Sequence, residues 1–226
     1  MNVKKLAAEA AVELIKDGMT VGLGTGSTAH WAIAKLGERV NNGLKIKAIA
    51  TSKESDALAK ELNIPMVTFS DIGQIDITID GADEVDPNLI LIKGGGGALL
   101  REKIIATASE KLIVIVDESK LVRQLGGFAL PIEVIPFGME STRKFIEELG
   151  CKTKIRMTDK NDRFKTDNGN HIVDCTFGRI ESPEKISQKL NQIPGVVENG
   201  LFIRLAHKVY VGYQSGKVDI LLKKND

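Results

Sequence analysis

The residues best suited to chemistry lie in one run, Lys93-Gly94-Gly95-Gly96-Gly97-Ala98-Leu99-Leu100-Arg101-Glu102-Lys103. Four glycines follow the apolar Leu89-Ile90-Leu91-Ile92 and precede a helical pattern. Glycine loses the most conformational entropy on folding, so four together imply a tight turn or a close approach of the backbone to another group. A strand, glycines and a helix start gather free amide N–H groups around a concavity that suits an anion. Lys93 supplies a cation and Glu102 a carboxylate at its flanks, so anion binding and proton transfer can share one site. On a helical wheel Glu102 lies opposite Leu100 and Ile104 and beside Ala98, Ile105 and Ala106. Such neighbours desolvate a carboxylate and make it a stronger proton acceptor, as a general base requires. The plain alternative is a solvated helix carboxylate paired with Arg101 or Lys103.

Two more polar, glycine-containing loops follow apolar runs. Gly22-Leu23-Gly24-Thr25-Gly26-Ser27-Thr28 allows a tight turn, and Ser27 or Thr28 can cap the next helix while donating to a phosphate. It does not complete the Gly-x-Gly-x-x-Gly dinucleotide fingerprint, and no Gly-Lys-Ser/Thr follows as in nucleotide hydrolases. A helix cap without ligand is the other reading. Asp80-Gly81-Ala82-Asp83-Glu84-Val85-Asp86 crowds four acids beyond a strand. They suit a divalent cation, sugar hydroxyls or a plain acidic turn, but the spacing of Asp80, Asp83 and Asp86 fails the calcium-loop template. Lys120, in Asp117-Glu118-Ser119-Lys120, follows another apolar run and reads either as a ligand group or as an ordinary surface lysine. Loops at the carboxyl ends of parallel strands are where ligands bind in open α/β sheets, which makes convergence of these segments reasonable.

The elements that must position these loops alternate as βα units do. Helices are expected over Lys5–Lys16, Ser27–Val40, Lys53–Leu62 and Ala98–Ala108. Strands are expected over Thr20–Leu23, Ile46–Ala50, Met66–Phe69, Ile75–Asp80, Leu89–Ile92 and Leu112–Val116. The texture changes near Leu130-Pro131. Beyond it, strand Ile132–Ile135, helix Ser141–Leu149, strands Lys152–Met157 and Ile172–Phe177, a helix opened by Ser182-Pro183, and strand Val196–Phe202 give a β-α-β-β-α-β, ferredoxin-like order. Asp167-Asn168-Gly169-Asn170 is the turn between the paired strands. Val209–Tyr213 and Val218–Leu222 are expected to return to the first domain. The expected domains are 1–129 with 206–226, and 130–205.

Bulk properties narrow the partners. The 226 residues are 42% hydrophobic and 27% charged, enough for a sizeable core, and 31 basic residues nearly balance 30 acidic ones. Neither a basic block nor a basic amphipathic stretch argues for nucleic acid or an anionic membrane. The few, scattered aromatics offer no stacking platform for single strands. Cys151 and Cys175 lack metal-ligand spacing and read as buried small hydrophobes in a reducing compartment. The histidines His30, His171 and His207 show no metal spacing either, and His30 is expected to pack beside Trp31. The start of the chain lacks a signal-peptide core and no apolar run approaches about 18 residues, so a soluble cytoplasmic protein is expected.

Taken together, these segments resemble the A-type ribose-5-phosphate isomerase family. Gly24 to Thr28, Asp80 to Glu84, Lys93 to Ala98, Arg101 to Lys103, Asp117 to Lys120 and Val134-Ile135-Pro136 carry the likeness, with Thr166 to Asn170 and Ile193 to Val197. The resemblance implies an α/β fold: a Rossmann-like, mostly parallel sheet domain with an inserted ferredoxin-like α+β subdomain. It implies interconversion of D-ribose 5-phosphate and D-ribulose 5-phosphate in the non-oxidative pentose phosphate pathway, by a dimer or tetramer without metal or organic cofactor. Glu102 matches the family's base. Thr25, Gly26, Ser27, Thr28, Asp80, Gly81, Ala82, Asp83, Lys93, Gly94, Gly95, Gly96 and Lys120 match substrate-binding positions, and Lys4 matches an N-terminal lysine that helps bind phosphate. Leu100 stands where the family often has threonine. Two other classes remain to be weighed: a sugar-phosphate sensor of the kind found in transcriptional regulators, and a nicotinamide-dependent oxidoreductase. The second needs a ribose-binding acid after the second strand, where only Glu54 is available, inside the next helix.

Overall fold

The computed structural model describes residues 2–222; Met1 and 223–226, part of the expected first domain, lie outside the described residues. In chain order the elements are α1 (Val3–Val12), β1 (Thr20–Leu23), α2 (Ser27–Asn41), β2 (Lys47–Ala50), α3 (Lys53–Glu61), β3 (Ile77–Gly81), β4 (Glu84–Val85), β5 (Leu91–Ile92) and α4 (Leu99–Thr107). There follow β6 (Leu112–Asp117), β7 (Leu130–Val134), α5 (Met139–Glu147), β8 (Lys152–Ile155), β9 (His171–Thr176), α6 (Pro183–Asn191), β10 (Val196–Asn199), β11 (Leu201–Phe202), β12 (Ala206–Gly212) and β13 (Val218–Leu222). The chain forms two compact units: Met1–Ala82, Arg101–Leu121 and Arg204–Asp226 make one, Asp83–Leu100 and Val122–Ile203 the other. The second unit thus takes in a segment, Asp83–Leu100, that the expected 130–205 span leaves out.

The first unit is built on a six-stranded sheet in the order β13-β12-β6-β3-β1-β2. All its pairings are parallel except β12 with β13. Every residue of β6 is buried, as a central strand covered on both faces requires. On one face α1 and α2 bring Ala7, Ala11, Ile33 and Leu36 against Val21, Ile79 and Ile113. On the other, Ile105 of α4 packs with Ile49 and Ile75. Helix α1 begins and ends earlier than its apolar spacing suggests: the Asn2 side chain caps the amides of Lys4 and Lys5, and Gly18 at φ +84° lies in the turn region beyond it. The expected strand at Met66–Phe69 is reduced to a single bridge from Met66 to Ala48, followed by a 3-10 turn at Phe69–Asp71. His30 and Trp31 stack edge to face, centroids 5.8 Å apart.

The second unit has a four-stranded antiparallel sheet in the order β10-β7-β9-β8. Counting its strands along the chain, that is the order 4-1-3-2, with α5 and α6 completing the β-α-β-β-α-β pattern. Leu130, Ile132, Val134, Val173, Met139, Ile146 and Leu190 form its core. Both cysteines are free and buried within that cluster. Ser182 occupies the cap position of α6 but makes no side-chain capping bond.

Two expectations fail in this unit for backbone reasons. The strand expected over Val196–Phe202 breaks at Gly200, whose amide donates to Pro131 O at 2.8 Å; β10 pairs with β7, whereas β11 pairs with β5. A Cβ at 200 would overlap Lys93 O and lie 2.9 Å from Pro131 Cδ, so only glycine fits this crossing. The glycine run does not follow a parallel strand either. β5 belongs to a separate antiparallel sheet, β11-β5-β4, because Asp86 accepts from the amides of Asn88 (2.9 Å) and Ile90 (2.8 Å) and folds β4 and β5 into a hairpin.

Candidate active site

In the first unit, β1, β3 and β6 are consecutive neighbours, so the segments leaving their carboxyl ends emerge side by side at strand spacings of about 4.8 Å. The chain turns from β1 to β2 on one side and to β3 on the other, which makes this end the point of reversal where such sheets bind ligands. Thr25 to Thr28 leave β1, Asp80 to Ala82 end β3, and Lys120 closes a 3-10 turn after β6. Asp117 fixes that turn by accepting from the Ser119 amide at 3.0 Å.

Asp80 is 1% exposed, and its Oδ1 accepts from the amides of Thr25 (3.1 Å) and Gly81 (2.7 Å). It therefore ties the first loop to the second. Gly24 makes room for it: a Cβ there would overlap the Asp80 carboxylate and approach its Cα to 2.6 Å. The Thr25 hydroxyl in turn meets Thr51 Oγ1 at 2.6 Å and Ser52 Oγ at 2.8 Å, and Ser55 Oγ donates to Gly24 O at 2.7 Å. Sequence reasoning missed this hydroxyl cluster; its signal was Thr51-Ser52-x-x-Ser55 directly after a strand, with Ser52 capping α3. Neither Ser27 nor Thr28 caps α2, which corrects that expectation. The cap position falls on Gly26 at φ +97°, with no side-chain cap hydrogen bond. Lys4 Nζ instead donates to Ser27 Oγ at 3.0 Å.

Glu102 is 4% exposed, with Ile105 and Ala106 also buried and Ile104 48% exposed, so the helical wheel holds and the solvated alternative does not. Helix α4 leads into the amino end of β6, and Ser109 beyond it bridges to Ile75. It therefore runs antiparallel to the strands. Ile105 lies against Gly22, where a Cβ would come 2.8 Å from its Cγ2. Glu102, three residues earlier, stands about 4.5 Å further toward the carboxyl ends.

In the second unit, Asp83 Oδ2 accepts from the Gly95 amide at 2.8 Å, and a Cβ at Gly95 would lie 2.6 Å from Asp83 Oδ1. Lys93 is 3% exposed, its Nζ 5.4 Å from the centroid of the Phe202 ring. Arg156 Nη1 donates to Gly94 O (2.8 Å) and Gly95 O (2.9 Å). Nothing near Arg156 in sequence marks it; the β8–β9 register, which sets Lys154 opposite Asp174, brings it to the loop. The acidic loop divides by role: Glu84 accepts from the amides of Gly126 (2.7 Å) and Phe128 (2.6 Å), and Asp86 holds its hairpin, which leaves Asp80 and Asp83 on the loops. Among the described residues no three His, Cys, Asp or Glu side chains gather as metal ligands. Glu54 is exposed in the first turn of α3.

A family model described as ribose 5-phosphate isomerase A (phosphoriboisomerase A) matches residues 47–216. The chain is 55% identical over 217 residues to ribose-5-phosphate isomerase A of Bacillus mycoides strain KBAB4, spanning 96% of this chain and 98% of that one. It also superposes on the solved ribose 5-phosphate isomerase A of Methanocaldococcus jannaschii, with TM-score 0.93, 44% identity and 98% of each chain covered. A D-ribose-5-phosphate isomerase solved in complex with phospho-erythronic acid gives TM-score 0.94 at 43% identity, over 98% of this chain and 100% of the other. The chain belongs to the ribose 5-phosphate isomerase A family of enzymes. Among the described residues no helix is long and apolar enough to cross a membrane.

Proposed function

We propose that this chain interconverts D-ribose 5-phosphate and D-ribulose 5-phosphate through an enediolate, with Glu102 as the general base. The observation that carries the reading is a 4%-exposed carboxylate in the first turn of α4, on the side of the sheet's carboxyl edge. Carbon 2 of the open-chain aldose is weakly acidic, so its proton needs a positioned base and its neighbouring oxygen needs positive charge. Glu102 takes the C2 proton and returns it to C1. Lys93 and nearby glycine amides, that of Gly96 among them, stabilise the oxygen as it gains charge, the kind of interaction that contributes most to many enzymes. Asp80 and Asp83 orient sugar hydroxyls, and Asp80 assists opening of the furanose ring. No step calls on a metal or organic cofactor. The reading carries with it a cytoplasmic enzyme that works as a dimer or tetramer.

The phosphate is assigned to the start of α2, with Ser27, Thr28, Gly26 and Lys120. An ammonium at a helix N-terminus sits against the positive end of the dipole, and the contact of Lys4 Nζ with Ser27 Oγ makes that juxtaposition. A bound phosphate turns it from repulsive to attractive. Lys4→Ala is therefore expected to raise KM for ribose 5-phosphate about 10-fold or more with a smaller change in kcat, since a charge-assisted bond is worth about 1.5–3 kcal/mol. Steady-state kinetics checks the split.

The reaction itself is tested by following ribose 5-phosphate by NMR in D2O. Ketose should form and solvent deuterium should enter at the carbon that receives the proton. Purified protein that makes no ketose, with or without added NAD, would exclude this function.

A further inference from the structure

We propose that Arg156 is a positioning residue for this reaction: it clamps two carbonyls of the glycine run and so aims the Gly96 amide at the developing oxyanion. The proposal rests on the isomerase reading above. One guanidinium nitrogen donates to both Gly94 O and Gly95 O. In a trans peptide the C=O and N–H point in opposite directions, and no cis peptide occurs among the described residues. Holding the Gly94 carbonyl toward Arg156 therefore turns the Gly95 N–H away, where it meets Asp83 Oδ2 at 2.8 Å. Holding the Gly95 carbonyl the same way turns the Gly96 N–H away from Arg156 as well. The guanidinium thus fixes the orientation of two successive peptide dipoles, and its charge strengthens both as donors.

The arginine is itself held. Asp174 accepts from Nε at 2.9 Å and from Nη2, the paired geometry that suits guanidinium and carboxylate, and the Arg156 side chain is only 15% exposed. Phe164 covers it, with the ring centroid 5.9 Å from Cζ and its amide donating to Arg156 O at 2.9 Å. The same ring closes over Gly97, where a Cβ would approach Cζ to 2.5 Å. A turn anchored on buried Glu133 carries Phe164's neighbours: Glu133 Oε1 accepts from Thr166 Oγ1 (2.9 Å) and Asn170 Nδ2 (2.8 Å). A buried hydrogen-bond network thus supports the loop that needs a fixed shape.

Arg156→Ala and Arg156→Lys test it. An oxyanion donor acts in the transition state, so both variants should lose kcat and kcat/KM together, by about 10–100-fold, with KM near wild type. Lysine keeps the charge and the fold but lacks the fork that reaches Asp174 and both carbonyls, so it should restore little. Ethylguanidinium added to Arg156→Ala should recover part of kcat. Either variant turning over at the wild-type rate, or a loss confined to KM or to thermal stability with no guanidinium rescue, overturns the proposal. Glu102→Gln runs alongside: if wild type makes no ketose, or that variant is unimpaired, the isomerase reading fails rather than the role of Arg156.

Discussion

Glu102→Gln should abolish nearly all turnover while leaving the protein folded and able to bind its ligand. Glutamine has the size and shape of glutamate and still accepts and donates hydrogen bonds, so the buried site on α4 stays filled. What it lacks is the carboxylate lone pair that takes up the C2 proton. A positioned base contributes on the order of 10²–10⁴ in rate, and kcat should fall by at least that factor. Exchange of the C2 proton with solvent should fall in step, because it depends on the same proton transfer. Ribose 5-phosphate should still bind within a few-fold of wild type by calorimetry. Glu102→Asp gives the graded control. It keeps the carboxylate but withdraws it by one methylene, and a misplacement of roughly 1 Å costs about 10²-fold. Wild-type isomerisation by the glutamine variant would remove Glu102 from the mechanism.

How much of this was legible in the sequence depends on the range of the contacts involved. The burial of Glu102 was readable because it follows from a helix period and from small or apolar residues within four positions. The carboxyl-edge loops of β1 and β3 were readable because glycines and polar residues directly follow β-branched runs. The β-α-β-β-α-β order survived intact for the same reason: each element carries its own periodicity. What could not be read were decisions made far along the chain. Nothing local tells β5 to leave the parallel sheet; its hairpin with β4 depends on the Asp86 turn and its other neighbour, β11, arrives more than a hundred residues later. Gly200 splits an otherwise plausible strand only because the Lys93 carbonyl and Pro131 crowd it. Arg156 joins the glycine run through a strand register. The cap of α2 was misread because serine and threonine are favoured caps, whereas the chain here enters the helix through a glycine at positive φ.

That last distinction separates two glycines of one loop and leads to the second large effect. At Gly26 an added methyl group meets nothing within 4 Å, and the cost of Gly26→Ala is the backbone strain of φ +97° alone, about 1–2 kcal/mol. At Gly24 the backbone is ordinary but the space is full. The new Cβ would overlap the Asp80 carboxylate and lie 2.6 Å from Asp80 Cα, and a main-chain atom in the middle of a sheet cannot swing aside as a side-chain tip can. Strand β3 must shift, or the loop after β1 must lift away. Either movement breaks the bonds from Thr25 and Gly81 to Asp80 Oδ1 and pulls Thr25 from its hydroxyl partners. Overpacking of this kind costs about 3 kcal/mol, a fall in Tm of roughly 6–12 °C for a chain of this size. Gly24→Ala should therefore lose both stability and at least 10²-fold in kcat/KM, the second because Asp80 and the loop proposed to hold the phosphate are displaced together. Gly26→Ala should lose less of each. Thermal melts and steady-state kinetics on the pair decide it: a Gly24→Ala protein as stable and as active as Gly26→Ala would mean that the first loop and Asp80 are not the coupled unit that their hydrogen bonds describe.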